Sequence, residues 1–248
     1  MKRHIPNFLT LLNLLCGSIA IIYVVNNNFV AASLFVFAGI FFDFFDGFAA
    51  RKLKVQSEIG LQLDSLADMV TSGVVPGLVM FILIRPTESS WIYVGNNPTA
   101  ESIFGFSNIT LFPIIGLFIT LASAYRLAKF NIDEDQQDYF KGLPTPANTL
   151  LIISLPLIIE FQNSDLVDSI LSNKWFLIMI TLLSCYLLNS NIKLMALKFK
   201  DWRFKTNIYK YSLIIVSIIL LLIFKFIAIP IIIFIYIALS IAKNLITK

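Results

Sequence analysis

Four aspartates lie in segments that are otherwise almost wholly apolar. The stretch FFDFFDGFAARKLKVQSEIGLQLDSLADMV, residues 41–70, carries Asp43, Asp46, Asp64 and Asp68 among aromatic and aliphatic neighbours. Asp43, Asp46, Gly47 and Ala50 recur at the 3–4 spacing of one helical stripe. Gly60, Asp64 and Asp68, four apart, form a stripe on the next helix. Facing each other, the two stripes make a pocket of carboxylates floored by small residues. An ionised carboxylate at membrane depth costs about 3 kcal/mol even on the lenient insertion scale. It must be protonated or neutralised by a cation. Four negative charges balance two divalent ions, and hard oxygen donors favour Mg²⁺, Mn²⁺ or Ca²⁺ over zinc. His4 is the one histidine in the chain. A paired divalent site suits phosphoryl transfer, where metals bind the oxygens that gain charge. Gly47 and Ala50 would admit a phosphate-bearing ligand close to the backbone, and Arg51 would contact phosphate. Two other readings stay open on this pattern alone: structural aspartates, or a proton or ion path in an ion-coupled transporter.

The elements that must hold these residues are membrane spans. The chain has 248 residues, of which 58% are hydrophobic and 14% charged. That balance belongs to repeated apolar runs, each needing ~20 residues to cross a bilayer. The runs lie near 8–26, 29–50, 58–84, 111–130, 145–162, 174–190, 208–224 and 226–243, predicting about eight crossings in an all-α polytopic membrane protein. At ~1.5 Å of rise per residue, Asp46 and Asp43 lie ~7 and ~12 Å below Arg51, and Asp64 and Asp68 ~9 and ~15 Å below Glu58. All four therefore sit just inside one leaflet. With a cytoplasmic N-terminus, every one of the 19 Lys and Arg residues except Arg85, Lys174 and Lys225 falls on the inner side. The active site then faces the cytoplasm. The net charge of +4 is accounted for by this topology and by anionic headgroups, with no nucleic-acid partner required.

We expect a single integral membrane domain over 1–248, with a core over about 1–190 and a C-terminal helical hairpin over about 208–243. The first span lacks a convincing cleavage site and is expected to be retained. Cys16 and Cys185 read as small core residues with no disulfide. The segment 85–110 reads as an external loop with Trp91 and Tyr93 at the interface. The segment 131–144 reads as a solvated connector. The stretch 189–207 alternates basic and apolar residues and reads as amphipathic, lying on the inner leaflet. Gly73 and Gly77, with Pro76 between them, suit tight helix packing and a homodimer seam.

The spacing Asp43-x2-Asp46-Gly47-x2-Ala50-Arg51-x8-Gly60-x3-Asp64-x3-Asp68 resembles, without departure, the signature of the CDP-alcohol phosphatidyltransferase family. The resemblance implies a six-helix membrane core, two divalent cations, a CDP-linked lipid donor and displacement of CMP by an alcohol. By position it implies metal ligation by Asp43, Asp46, Asp64 and Asp68, with Asp68 also the candidate general base. Gly47, Ala50, Arg51 and Gly60 would line the CDP-lipid site. Cytidine comes from the resemblance alone.

Three further stretches resemble the phosphatidylserine synthase branch of that family: PNFLTLLNLLCGS (6–18), SAYRLAKFN (123–131) and FKGLPTPAN (140–148). This branch implies CDP-diacylglycerol and L-serine as substrates, phosphatidylserine and CMP as products, and a bacterial cytoplasmic membrane. Asn7, Thr10 and Asn13 recur every third residue on an otherwise apolar helix; interhelical hydrogen bonds and ligand contact are both open to them, and Asn7 and Thr10 are assigned to the CDP-lipid site. Arg126 is the candidate grip on an acceptor carboxylate or phosphate, with Asn131 beside it, while Lys129 reads as a snorkelling cation. Gly142 to Pro146 marks a rigid entry to the fifth span. Glycerol 3-phosphate, inositol phosphate and choline are the alternative acceptors. A phosphorylated one would demand more cations than Arg126 alone offers. An intramembrane aspartyl protease would need one aspartate pair and leaves the other two unexplained.

Overall fold

The computed structural model describes residues 4–85, 112–132, 139–162, 164–195 and 207–246. The expected interfacial loop with Trp91 and Tyr93, residues 133–138 of the connector and the basic stretch 196–206 lie outside the described residues. Helix α1 spans Ile5–Val25, with Pro6 in its first turn, where a missing N–H costs nothing. Helix α2 spans Phe29–Leu53; the Asn28 side chain caps it by accepting from Ala31 N–H at 3.1 Å. Lys54, in the left-handed region at φ 54°, ends α2. Three residues later Ser57 opens α3 (Glu58–Asp68), accepting from Gly60 N–H at 3.1 Å.

The helix then widens into a π-helical turn, Met69–Val74, before α4 (Val75–Ile84). Pro76 explains the break. It has no N–H to give the carbonyl of Ser72, four residues back, and hydroxyls from other helices reach that carbonyl and its neighbour. Thr149 Oγ1 lies 3.1 Å from Ser72 O, and Thr120 Oγ1 donates to Gly73 O at 3.0 Å. On the other side, Thr71 Oγ1 donates to Asn13 O of α1 at 3.1 Å. Three helices are thus pinned to the turn that directly follows Asp68.

A 3₁₀ segment, Phe112–Leu117, leads into α5 (Phe118–Ile132). Strand β1 (Tyr139–Lys141) precedes α6 (Thr145–Phe161), α7 (Asp165–Leu171) and α8 (Lys174–Asn189). Strand β2 (Lys193–Met195) pairs antiparallel with β1, Phe140 opposite Leu194. The all-α expectation therefore gains one short two-stranded ribbon, and 193–195 form a strand where an amphipathic surface segment was expected. Helices α9 (Ile208–Phe224) and α10 (Ala228–Ile246) close the chain. One apolar core joins Ala20, Val36, Val79, Met80, Ile152 and Leu177 from α1, α2, α4, α6 and α8. A second joins Leu143, Leu194, Leu213 and Tyr236. Leu213 and Tyr236 can share a cluster only if α9 and α10 fold back on each other at the Lys225–Ile227 break.

Among the described residues, five helical stretches are long and apolar enough to cross a membrane, six if the pair α7–α8, bent by 65°, counts as one. The protein is thus an integral membrane protein, with fewer qualifying stretches than the eight runs read from sequence. The fifth run is a helix of only 17 residues. The sixth is bent at Ser172–Asn173, and the last two belong to one 38-residue helical stretch interrupted at Lys225. Gly73 and Gly77 do not face outward as a dimer seam would. A Cβ on Gly73 would meet Ser123, and one on Gly77 would meet Thr120, so the small residues admit the chain's own α5.

Candidate active site

Helix α1 packs along both α2 and α3, whereas α2 and α3 barely touch through their backbones. The space they leave is a cavity of about 440 Å³ at the α2–α3 link. Asn7, Thr10, Gly47, Ala50, Arg51 and Gly60 all line it, beside Asp46 and Asp64. Every residue expected at the CDP-lipid site is therefore on one wall or another of a single cavity. Gly47 leaves room for Arg51 to fold back: a Cβ there would lie 3.5 Å from Arg51 Nη1. Gly60 leaves room for α1, since its Cβ would lie 3.3 Å from Asn7 Oδ1.

Asp43, Asp46 and Asp64 each offer a carboxylate oxygen, and the three oxygens lie within 4.8 Å of one another. That is close enough for one cation to be shared. Asp64 Oδ1 is buried and has no hydrogen-bond partner among the described residues. A cation is the natural complement to such an oxygen, so the donor set fits a divalent ion. Asp46, 5% exposed, accepts a 2.6 Å hydrogen bond from Thr10 Oγ1. Asp68 stands outside the group of three, one turn deeper and 9% exposed, and accepts from Asn13 Nδ2 at 3.2 Å. It remains within electrostatic reach of Asp43, Asp46 and Asp64.

Arg126 is buried, 7% exposed, with its Nε lacking a partner among the described residues and its guanidinium 6.0 Å from the Phe130 ring. It borders a small crevice with Lys129, Lys141 and Asn189, and its charge is felt at Asp68. Lys129 thus lines this crevice, where a purely snorkelling role was expected. Asn131 is engaged by α3: its Nδ2 donates to Ser65 Oγ at 2.9 Å, next to Asp64.

Sequence reasoning missed the targets of the polar residues on α1. Thr10 and Asn13, one turn apart, each hold a different aspartate. It also missed the π-helical turn, for which Pro76 within a long apolar run was the available signal.

The chain is thus a helical membrane protein with a group of three carboxylates beside a cavity of about 440 Å³. The CDP-alcohol phosphatidyltransferase model matches residues 3–187, and the chain belongs to that family. Among its relatives is a protein of Bacillus subtilis named CDP-diacylglycerol–serine O-phosphatidyltransferase, 34% identical over 157 residues, covering 62% of this chain and 75% of that one. A Helicobacter pylori protein of the same name is 32% identical, covering 81% of this chain and 75% of its own length. One from Methanocaldococcus jannaschii, again so named, is 34% identical over 71% of each chain.

Proposed function

We propose that this protein transfers a phosphatidyl group from CDP-diacylglycerol to L-serine, giving phosphatidylserine and CMP. The observation that carries the reading is the convergence of Asp43, Asp46 and Asp64 beside the cavity lined by Asn7, Thr10, Gly47, Ala50, Arg51 and Gly60. The shared name of the relatives supports serine over glycerol 3-phosphate, inositol phosphate or choline.

The carboxylates hold two divalent cations, Mg²⁺ or Mn²⁺, with Ca²⁺ also compatible with the oxygen donors. When bound, these ions stabilise negative charge on the diphosphate and on departing CMP. Arg51 contacts a phosphate, and the small side chains of Gly47, Ala50 and Gly60 let the nucleotide lie against α2 and α3. The lipid tails enter between helices. Arg126 grips the serine carboxylate, with Asn131 beside it and Lys129 and Lys141 bordering the same crevice. Asp68 accepts the hydroxyl proton as the serine oxygen bonds to the lipid-bearing phosphorus. The bond from that phosphorus to the CMP oxygen breaks. Asp68 also completes the metal site as its fourth carboxylate. The positive-inside pattern places the N-terminus and this site on the cytoplasmic face of a bacterial membrane.

The test is an acceptor panel with purified protein in detergent, reading CMP release and the mass of the lipid product. Serine gives CMP and phosphatidylserine. CMP release with another acceptor but not with serine overturns the serine assignment. An ion-coupled transporter would instead show gradient-driven flux in sealed vesicles and release no CMP.

A further inference from the structure

Asn13 is wholly buried in α1, and its side chain has been given no part in the chemistry. Its Nδ2 donates to Asp68 Oδ1 at 3.2 Å, and its Oδ1 has no partner among the described residues. An amide that leaves its own oxygen unpaired in the core is held there by its donor bond. Its main chain is fixed as well: Thr71 Oγ1, three residues beyond Asp68, donates to the Asn13 carbonyl at 3.1 Å. The two contacts close a ring: Asp68 to the π-helical turn, the turn to Asn13 through Thr71, and Asn13 back to Asp68. Glycines make the space for it. A Cβ on Gly39 of α2 would lie 2.9 Å from both Asn13 Oδ1 and Thr71 Cγ2, and one on Gly17 would strike Thr71.

We infer that Asn13 is a positioning residue for Asp68, with Thr71 and the π-helical turn fixing Asn13 itself. By occupying Oδ1, the amide sets the rotamer of the Asp68 carboxylate. The other oxygen is then the one turned to the reacting hydroxyl. This rests on the functional reading above, in which Asp68 is the proton acceptor. Thr10, one turn earlier on α1, does the equivalent for Asp46 in the group of three. Helix α1 thus orients one carboxylate at the cation cluster and one at the proton-transfer position.

The experiment compares the parent with Asn13→Ala, Asn13→Leu (nearly isosteric, no donor) and Thr71→Val. It measures kcat and KM for CMP release, binding of CDP with Mn²⁺ but no acceptor, and thermal stability in detergent. We expect both Asn13 variants to lose kcat by about tenfold or more, as when a group orienting an active-site ligand is removed. KM for the CDP-lipid and the affinity for CDP with Mn²⁺ should change by much less than kcat, at most about threefold, because the group of Asp43, Asp46 and Asp64 is left intact when the fourth carboxylate, Asp68, is disturbed. Thr71→Val should lose kcat in the same direction by a smaller factor. If the parent turns over serine and both Asn13 variants match it within about twofold, the inference falls while the functional reading stands. If CDP binding falls in step with kcat, Asn13 serves the binding site and the inference is again overturned. CMP release by the parent tests the functional reading separately.

Discussion

At the residue scale, the aspartates divide by what surrounds them. Carboxylate oxygens of Asp43, Asp46 and Asp64 converge within 4.8 Å, and one oxygen of Asp64 is buried with no donor among the described residues. Asp64→Ala should therefore lose Mn²⁺ binding and turnover together, which calorimetry and CMP release read in parallel. Asp68 is set apart on Asn13. Asp68→Asn should keep CDP binding yet lower kcat by about 10²–10⁴, the usual range for removing a general base; turnover like the parent's would remove it from that role. Thr10→Val deletes the 2.6 Å bond to Asp46. A fall in metal affinity of about tenfold is expected, and Thr10→Ser should restore most of it. The four carboxylates were legible because helical spacing decides which residues share a face, and the cavity liners because the motif that resembles the family's fixes them by position. The partners of Thr10 and Asn13 were not. A polar group on an apolar helix announces that it needs a partner, but the partner depends on how helices cross.

At the element scale, Gly142 gives the motif FKGLPTPAN a physical reason. It sits at φ 75°, and a Cβ there would come 3.0 Å from the carbonyl oxygens of Leu187 and Ser190. Its N–H donates to Ile192 O at 2.9 Å, just ahead of β2, and the next N–H, of Leu143, donates to Leu187 O at 2.8 Å in the last turn of α8. Gly142→Ala should cost at least about 1–2 kcal/mol from the left-handed backbone alone, with the clash adding to it. A lower melting temperature in detergent checks this. Thr149 reaches the Ser72 carbonyl that Pro76 leaves without its helical donor. Thr149→Val should destabilise by about 0.5–1.5 kcal/mol, the net worth of one hydrogen bond, because Ser123 Oγ, 3.5 Å from the same carbonyl, remains as a donor. The start of α3 was legible, since the third apolar run was read from residue 58, where the helix begins. The π-helical turn was not, because widening a helix by one residue per turn depends on Thr120, Thr149 and Thr71 arriving from other segments.

At the scale of the whole molecule, the apolar runs announced a polytopic membrane protein before any coordinate was known. The number of stretches long enough to cross was less legible. Hydropathy does not report a bend such as that between α7 and α8, and it separates α9 from α10 without saying that they fold back together. Gln162 fastens that fold: its Nε2 donates to Phe224 O at 2.8 Å, and its Oε1 accepts from Ile227 N–H at 3.0 Å. The positive-inside pattern makes a separate prediction. Gln56→Cys in the α2–α3 link, made in a background of Cys16→Ala and Cys185→Ala, should be shielded from an impermeant maleimide in intact cells and labelled once the membrane is opened. Labelling in intact cells would reverse the orientation.

The most direct test of the central claim is a crystal of the protein with Mn²⁺ and CDP, read by anomalous scattering. Peaks within about 2.0–2.6 Å of carboxylate oxygens of Asp43, Asp46 and Asp64, with the diphosphate on their far side, are expected. Manganese bound elsewhere, with CDP in place and those three side chains turned away from it, would contradict the account.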